Sequence, residues 1–137
     1  MIDRETGTLL EPRPVTGAQR NYPIVVDEVR HRLFVGCRQP SKLMVLNTDA
    51  GKPVADVTID VDTDDLFYNP ARRRVYVSAR DGSIDVIDQR DADHYRTNRR
   101  VSTVDGARTA TLSREFNLFC LGVPREKSCP LRSGSFR

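Results

Sequence analysis

Short stretches in which apolar and polar residues alternate, each closed by turn-forming residues, run through most of this chain. Tyr22 to Asp27 is apolar and β-branched, Val29 to His31 turn the chain, and His31 to Cys37 alternates with Leu33 and Val35 on one face. Gln39-Pro40-Ser41 interrupts the pattern before Lys42 to Asn47, and Asp49-Ala50-Gly51 leads into a weaker strand, Lys52 to Ile59. The same grammar resumes with Leu66 to Tyr68, a turn at Asn69-Pro70-Ala71-Arg72, then Arg74 to Ser78, a hairpin at Arg80-Asp81-Gly82-Ser83, Ile84 to Asp88 and Arg99 to Val104. Asp81-Gly82 is the strongest turn signal and predicts a type I′ hairpin. No stretch of ten or more residues carries a 3.6-residue apolar period, so the pattern predicts an all-β protein.

The pattern also repeats. Arg32-Leu33-Phe34-Val35 returns 42 residues on as Arg74-Val75-Tyr76-Val77, and a further 43 on as Asn117-Leu118-Phe119-Cys120. A second landmark keeps the same spacing, since Val45-Leu46-Asn47 returns as Val86-Ile87-Asp88 after 41 residues and has an upstream counterpart at Ile2-Asp3. Four short strands in a period of 41 to 44 residues match one blade of a β-propeller, a four-stranded antiparallel sheet set radially around a channel. The chain then divides into the outer two strands of one blade over 1–15, full blades over about 16–59 and 60–104, the inner two strands of a last blade over 105–123, and a disordered tail over 124–137. A closed ring takes about four to eight blades. The expectation is an incomplete β-propeller, a fragment of a longer protein or one that pairs its open edges with other chains.

The units His31 to Cys37, Val45 to Val54 and Thr63 to Ser78 resemble the bacterial YVTN-repeat β-propellers, the YncE-like group. Arg74-Val75-Tyr76-Val77-Ser78 matches the Arg-Val-Tyr-Val core of that repeat, and Asn47 to Val54 matches its Asp-Thr-x-x-Gly-Lys-Val-Val element. The resemblance covers about residues 2 to 123 and fades at Asn117 to Cys120, where the basic residue and the β-branched pattern are lost. It implies a ring of about seven blades, export to the periplasm or beyond, and a binding role without a transferable catalytic motif. The chain as given has no secretory apolar core, so expression of this chain by itself predicts a cytoplasmic location.

Composition narrows the chemistry. Leu, Ile, Val and Phe make up 35 of 137 residues, enough to predict a folded chain. Against 19 acidic residues stand 22 basic ones, 19 of them Arg, giving +3 without a polybasic stripe. Arg72-Arg73-Arg74 and Arg96, Arg99 and Arg100 have only Tyr95 nearby for base stacking, which favours a solvated edge over nucleic acid. No apolar run is long enough to cross a membrane as a helix. Cys37, Cys120 and Cys129 are widely spaced with no C-x-x-C, fitting neither a disulfide framework nor a zinc site. Asp60, Asp62, Asp64 and Asp65 begin like a calcium loop, but Asp65 stands where glycine is needed and Ala71 where the bidentate Glu is needed. His31 and His94 are isolated, and neither a nucleophile elbow nor a phosphate loop occurs, so no catalytic residue, metal or cofactor is assigned.

In a propeller the connections into each innermost strand crowd one mouth of the channel. Superposing the periods places Arg20 and Asn21, Asp64 and Asp65, and Arg108 and Thr109 there, a ring of Arg and Asp suited to a polar or anionic ligand or a peptide terminus. The function expected is a non-catalytic binding and interaction scaffold whose partners are a protein, a small polar ligand, missing blades or a second copy. One alternative is part of a gluconolactonase-type propeller hydrolase, to which Asp64 and Asp65 would contribute. A DNA-binding propeller is the other.

Overall fold

The computed structural model describes residues 2–124 and the backbone of Ser133–Phe136, and it is all-β. Strands β1 (Gln19–Asp27), β2 (Arg32–Gln39), β3 (Ser41–Asn47) and β4 (Pro53–Thr58) form one antiparallel sheet in chain order. Strands β5 (Thr63–Asn69), β6 (Arg74–Ala79), β7 (Ser83–Gln89) and β8 (Tyr95–Ser102) form a second of the same build. A third holds β9 (Thr109–Ser113), β10 (Leu118–Gly122) and β11 (Ser133–Phe136). First strands adjoin first strands, β1 against β5 and β5 against β9, while β4 lies against β8. This is the radial stacking of an incomplete β-propeller, with first strands inside and fourth strands outside.

Each sheet opens on the same turn. Four residues separate β1 from β2, β5 from β6 and β9 from β10, and the fourth, His31, Arg73 or Asn117, has φ of 55°, 54° or 54°. The last residue of each first strand caps the turn with its side chain. Asp27 Oδ1 accepts from Arg30 N at 3.3 Å, Asn69 Oδ1 from Arg72 N at 3.2 Å, and Ser113 Oγ from Phe116 N at 3.4 Å. These turns set the true register of the third repeat. Leu118 pairs with Ser113 as Arg74 does with Asn69, so the spacing is 44 residues and Leu118, rather than Asn117, stands where Arg74 stands. Leu118 to Leu121 is a nearly continuous apolar run, which carries no alternation to fix which side faces the core.

Three further expectations change. The Asp81-Gly82 hairpin is a three-residue loop, with Gly82 N donating to Ala79 O at 3.2 Å and Ala79 paired with Ser83. Only Gly82 has positive φ, at 84°, so this is a type I turn with a glycine bulge rather than type I′. Where the sequence predicts the outer strands of a blade over 1–15, the described residues 2–15 hold only an isolated Ile2↔Leu9 bridge, because Asp3 Oδ1 folds a turn by accepting from Glu5 N and Thr6 N, and Pro12 and Pro14 lack the donors a ladder needs. Within the stretch expected to be a disordered tail, Ser133–Phe136 pair with β10 as the third strand of the last sheet, satisfying the edge β10 would otherwise expose. Residues 125–132, Cys129 among them, lie outside the described residues.

Gly82 gives a direct test of the turn. A Cβ there would lie 2.8 Å from Asp105 N and from Val104 C, backbone atoms that cannot rotate away. Gly82→Ala is expected to cost about 1–3 kcal/mol, read as a lower urea midpoint with an unchanged slope.

Packing between sheets supplies the core. Phe34, Leu43 and Val45 of the first sheet meet Leu66, Tyr68, Val75, Val77 and Ile87 of the second. Tyr76, Ile84 and Val86 then meet Phe119 and Leu121 of the third. Among the described residues, the face of the first sheet turned away from the second is covered over β2 and β3 and open over β1. There Val15 and Ala18 of the N-terminal segment lie on Val35, Cys37, Met44 and Leu46. Arg13 Nη1 anchors this strap to Thr48 O and Asp49 O, at 3.0 and 3.2 Å.

Candidate functional site

The chain enters each innermost strand through a residue of positive φ: Arg20 at 55°, Asp62 at 57° and Gly106 at 78°. Register therefore aligns Arg108 with Asp64 and Thr109 with Asp65, as expected from sequence, but aligns Tyr22 and Pro23 with that pair in the first sheet. Arg20 and Asn21 lie two residues upstream. The 42-residue repeat shift itself points from Asp64 and Asp65 to Tyr22 and Pro23, and both strands carry a bulge here, between Asn21 and Ile24 and between Thr63 and Asp65.

Asp64, Asp65, Arg108 and Thr109 line a shallow cavity of about 240 Å³ at the starts of β5 and β9, and Arg20 and Asn21 are not among its lining residues. Asp65 Oδ2 accepts from Ala110 N at 2.8 Å, and Ser78 Oγ donates to Arg108 O at 3.0 Å, fixing the second sheet to the third. Asp64 Oδ1 pairs with Arg38, while its Oδ2 is buried without a hydrogen bond and 3.6 Å from Arg108 Nε.

Sequence reasoning missed Arg38, the central cation of this end. It leaves the end of β2 and reaches the second sheet, where Nε donates to Thr63 O at 2.9 Å and Nη1 meets Asp62 Oδ1 at 3.0 Å. Its Cζ sits 4.5 Å above the centre of the Tyr22 ring. A signal existed, since Arg80 recurs 42 residues later. The four aspartates that began like a calcium loop are divided among different partners. Asp62 and Asp64 turn to Arg38 and Asp65 to a backbone amide, while Asp60 takes Ser83 Oγ at 2.7 Å and Arg100 at 3.3 Å.

At the opposite end of the strands lies a second polar cluster. The Asp27 carboxylate, 1% exposed, accepts from Gln89 Nε2 at 3.0 Å, Tyr68 Oη at 3.1 Å and Arg30 Nη1 at 3.3 Å. Burial pushes its pKa up, but the bonds from Gln89, Tyr68 and Arg30 outweigh it and hold the carboxyl below its ordinary value. Burial, with the adjacent Asp27 charge, pushes the Tyr68 hydroxyl up to about 12. Burial likewise raises the Cys37 thiol in β2, whereas Cys120 in β10 is half-buried. His31 and His94 are exposed and paired with Asp49 and Asp91.

No protein-family model matches the chain, and neither does any curated protein. Solved structures do. The chain is similar to hydrazine synthase of Kuenenia stuttgartiensis (TM-score 0.67, 14% identity, 85% of this chain and 32% of that one). It is also similar to the β-propeller domain of Cps50 (Swd1) from Myceliophteria thermophila (0.62, 13%, 74% and 36%). A third is a 6-phosphogluconolactonase-like protein of Bacteroides uniformis (0.60, 14%, 84% and 40%). The chain spans between 32 and 40% of the length of these proteins, and at such identities the likeness establishes the propeller fold.

Proposed function

We propose that this chain is part of a YVTN-type propeller acting as a non-catalytic binding and interaction scaffold, in which a second copy covers the open face of the first sheet. One comparison within the molecule carries the reading. Ile24 and Val26 of β1 are 64% and 42% exposed, whereas Leu66 and Tyr68, which occupy the same positions of β5, are 7% and 3% exposed beneath the neighbouring sheet. Apolar side chains at blade-packing positions call for a blade. In this reading the other half of the contact comes from the far end of a second copy, where Thr111 and Cys120 occupy the positions that Val25 and Phe34 use to cover the second sheet. Two head-to-tail contacts, each joining the first sheet of one copy to the last sheet of the other, would close two copies into a ring. The cavity lined by the Asp64–Arg108 ion pair suits a polar or charged group on the bound partner.

Size exclusion with light scattering, and circular dichroism on the same fractions, tests the reading. The 137-residue chain is expected to run as a discrete folded dimer at micromolar concentration. Ile24→Glu is expected to give a folded monomer. A monodisperse folded monomer of the unaltered chain, or a dimer unmoved by Ile24→Glu, would overturn it.

A further inference from the structure

Basic side chains converge at one place away from the channel mouth. The turn between β5 and β6 carries Arg72 and Arg73, β6 begins at Arg74, and Arg90 follows the end of β7. Hydrogen bonds bring these segments together, with Gln89 N donating to Arg73 O at 2.8 Å and the Arg73 guanidinium donating to Arg90 O. With Asp88 and Gln89 the four arginines line a cavity of about 290 Å³.

Charge there is unbalanced. Asp88 is spoken for, taking Arg74 Nε at 2.8 Å and Asn98 Nδ2 at 2.7 Å, so the Arg74 charge is neutralised. Arg72, Arg73 and Arg90 then leave three positive charges around one space. Asp91, next along the chain, turns its carboxylate to His94, and Asp93 is paired with Arg32. Arg73 is the most telling member. Its Nε is buried and without a hydrogen-bond partner among the described residues, so the guanidinium is held in place with part of its donor capacity unused. The residue sits at φ 54°, which fixes the direction its side chain leaves the backbone.

We propose that this cavity binds a phosphate dianion, inorganic or as the phosphate ester of a small molecule, with Arg73 as the central donor and Arg72 and Arg90 flanking it. Guanidinium forks match tetrahedral phosphate oxygens in pairs, and three uncompensated charges favour a dianion over a monocarboxylate. The six lining residues hold no aromatic ring, so the site lacks the stacking surface a nucleobase would use.

Isothermal titration with inorganic phosphate and, in parallel, glycerol phosphate at low ionic strength tests this. Saturable one-to-one binding is expected, and stronger binding of the ester would identify an organic phosphate as the better ligand. Arg90→Ser, an exposed position where folding is not at stake, is expected to weaken binding about tenfold, and Arg73→Lys, which keeps the charge but not the fork, by a similar factor. Circular dichroism checks that both variants are folded. Absence of saturable binding, or equal affinity in the parent chain and both variants, would overturn the assignment.

Discussion

Replacing Phe34 by alanine is expected to lower the free energy of unfolding by about 3–5 kcal/mol, a large share of the roughly 5–15 kcal/mol a domain commands. Phe34 is wholly buried between the first and second sheets. Its ring meets Tyr68 at 5.2 Å in a tilted arrangement and Tyr95 at 5.7 Å edge-on, so truncation removes two aromatic contacts and opens a cavity walled by two sheets. Pleated sheets cannot close such a gap by a small shift, because each is tied into its own ladder. Phe116→Ala serves as the control, because that ring is 67% exposed and its loss is expected to change stability by less than about 0.5 kcal/mol. Denaturant midpoints for the two variants decide the matter, and a Phe34 effect as small as the Phe116 effect would refute the packing described.

Asp27→Ala is expected to cost about 2–4 kcal/mol. The carboxylate receives Gln89, Tyr68 and Arg30 in a site closed to water. On its removal the Tyr68 hydroxyl can still donate to Gln89 Oε1, at 2.7 Å, but a Gln89 amide hydrogen is stranded and the charge-assisted bonds are lost. The same carboxylate makes stability depend on acidity. Its folded pKa lies below the ordinary value, so the unfolded chain binds the proton more readily. Its contribution is therefore complete above the unfolded carboxylate pKa of about 3.9 and is lost as pH falls through the lower folded value. Urea midpoints taken from pH 7 down to pH 3 are expected to fall at the acid end in the parent chain and to fall less in Asp27→Asn. Equal acid limbs in both would remove Asp27 as their source. Tyr68, with its hydroxyl near 12, stays protonated across this range.

Strand order, turn positions and the blade repeat were legible in the residues because two-residue alternation and Asx-bearing turns are local signals. The caps show why: Asp27, Asn69 and Ser113 each close the same turn through a side-chain oxygen, and each is a residue type that does so. Register was less legible. Leu118 to Leu121 presents apolar residues to both sides, so the frame slipped by one residue, and counting back from the turns at Asp27 and Asn69 sets Tyr22, rather than Arg20, opposite Asp64. Arg38 escaped notice because its partners, Asp62, Asp64 and Tyr22, are distant in the chain and meet only once sheets stack. The strap of Val15 and Ala18 has no strand pattern, and nothing local states that it lies on Met44 and Leu46.

Stacking of the sheets in a row, each against only its neighbours, sets how the molecule can come apart. The middle sheet has a partner on both faces, and its strands β6 and β7 are buried almost throughout. Among the described residues the end sheets each have one full partner, with a strap on the outward face of the first. Local opening therefore runs inward from the two ends, in the manner of a short linear array in which terminal units fray and the central one is lost last. A blade docked on β1 would do more than cover Ile24 and Val26: it would turn the first sheet from a terminal unit into an internal one, and so quiet the motions of the Tyr22 and Arg38 side of the channel mouth.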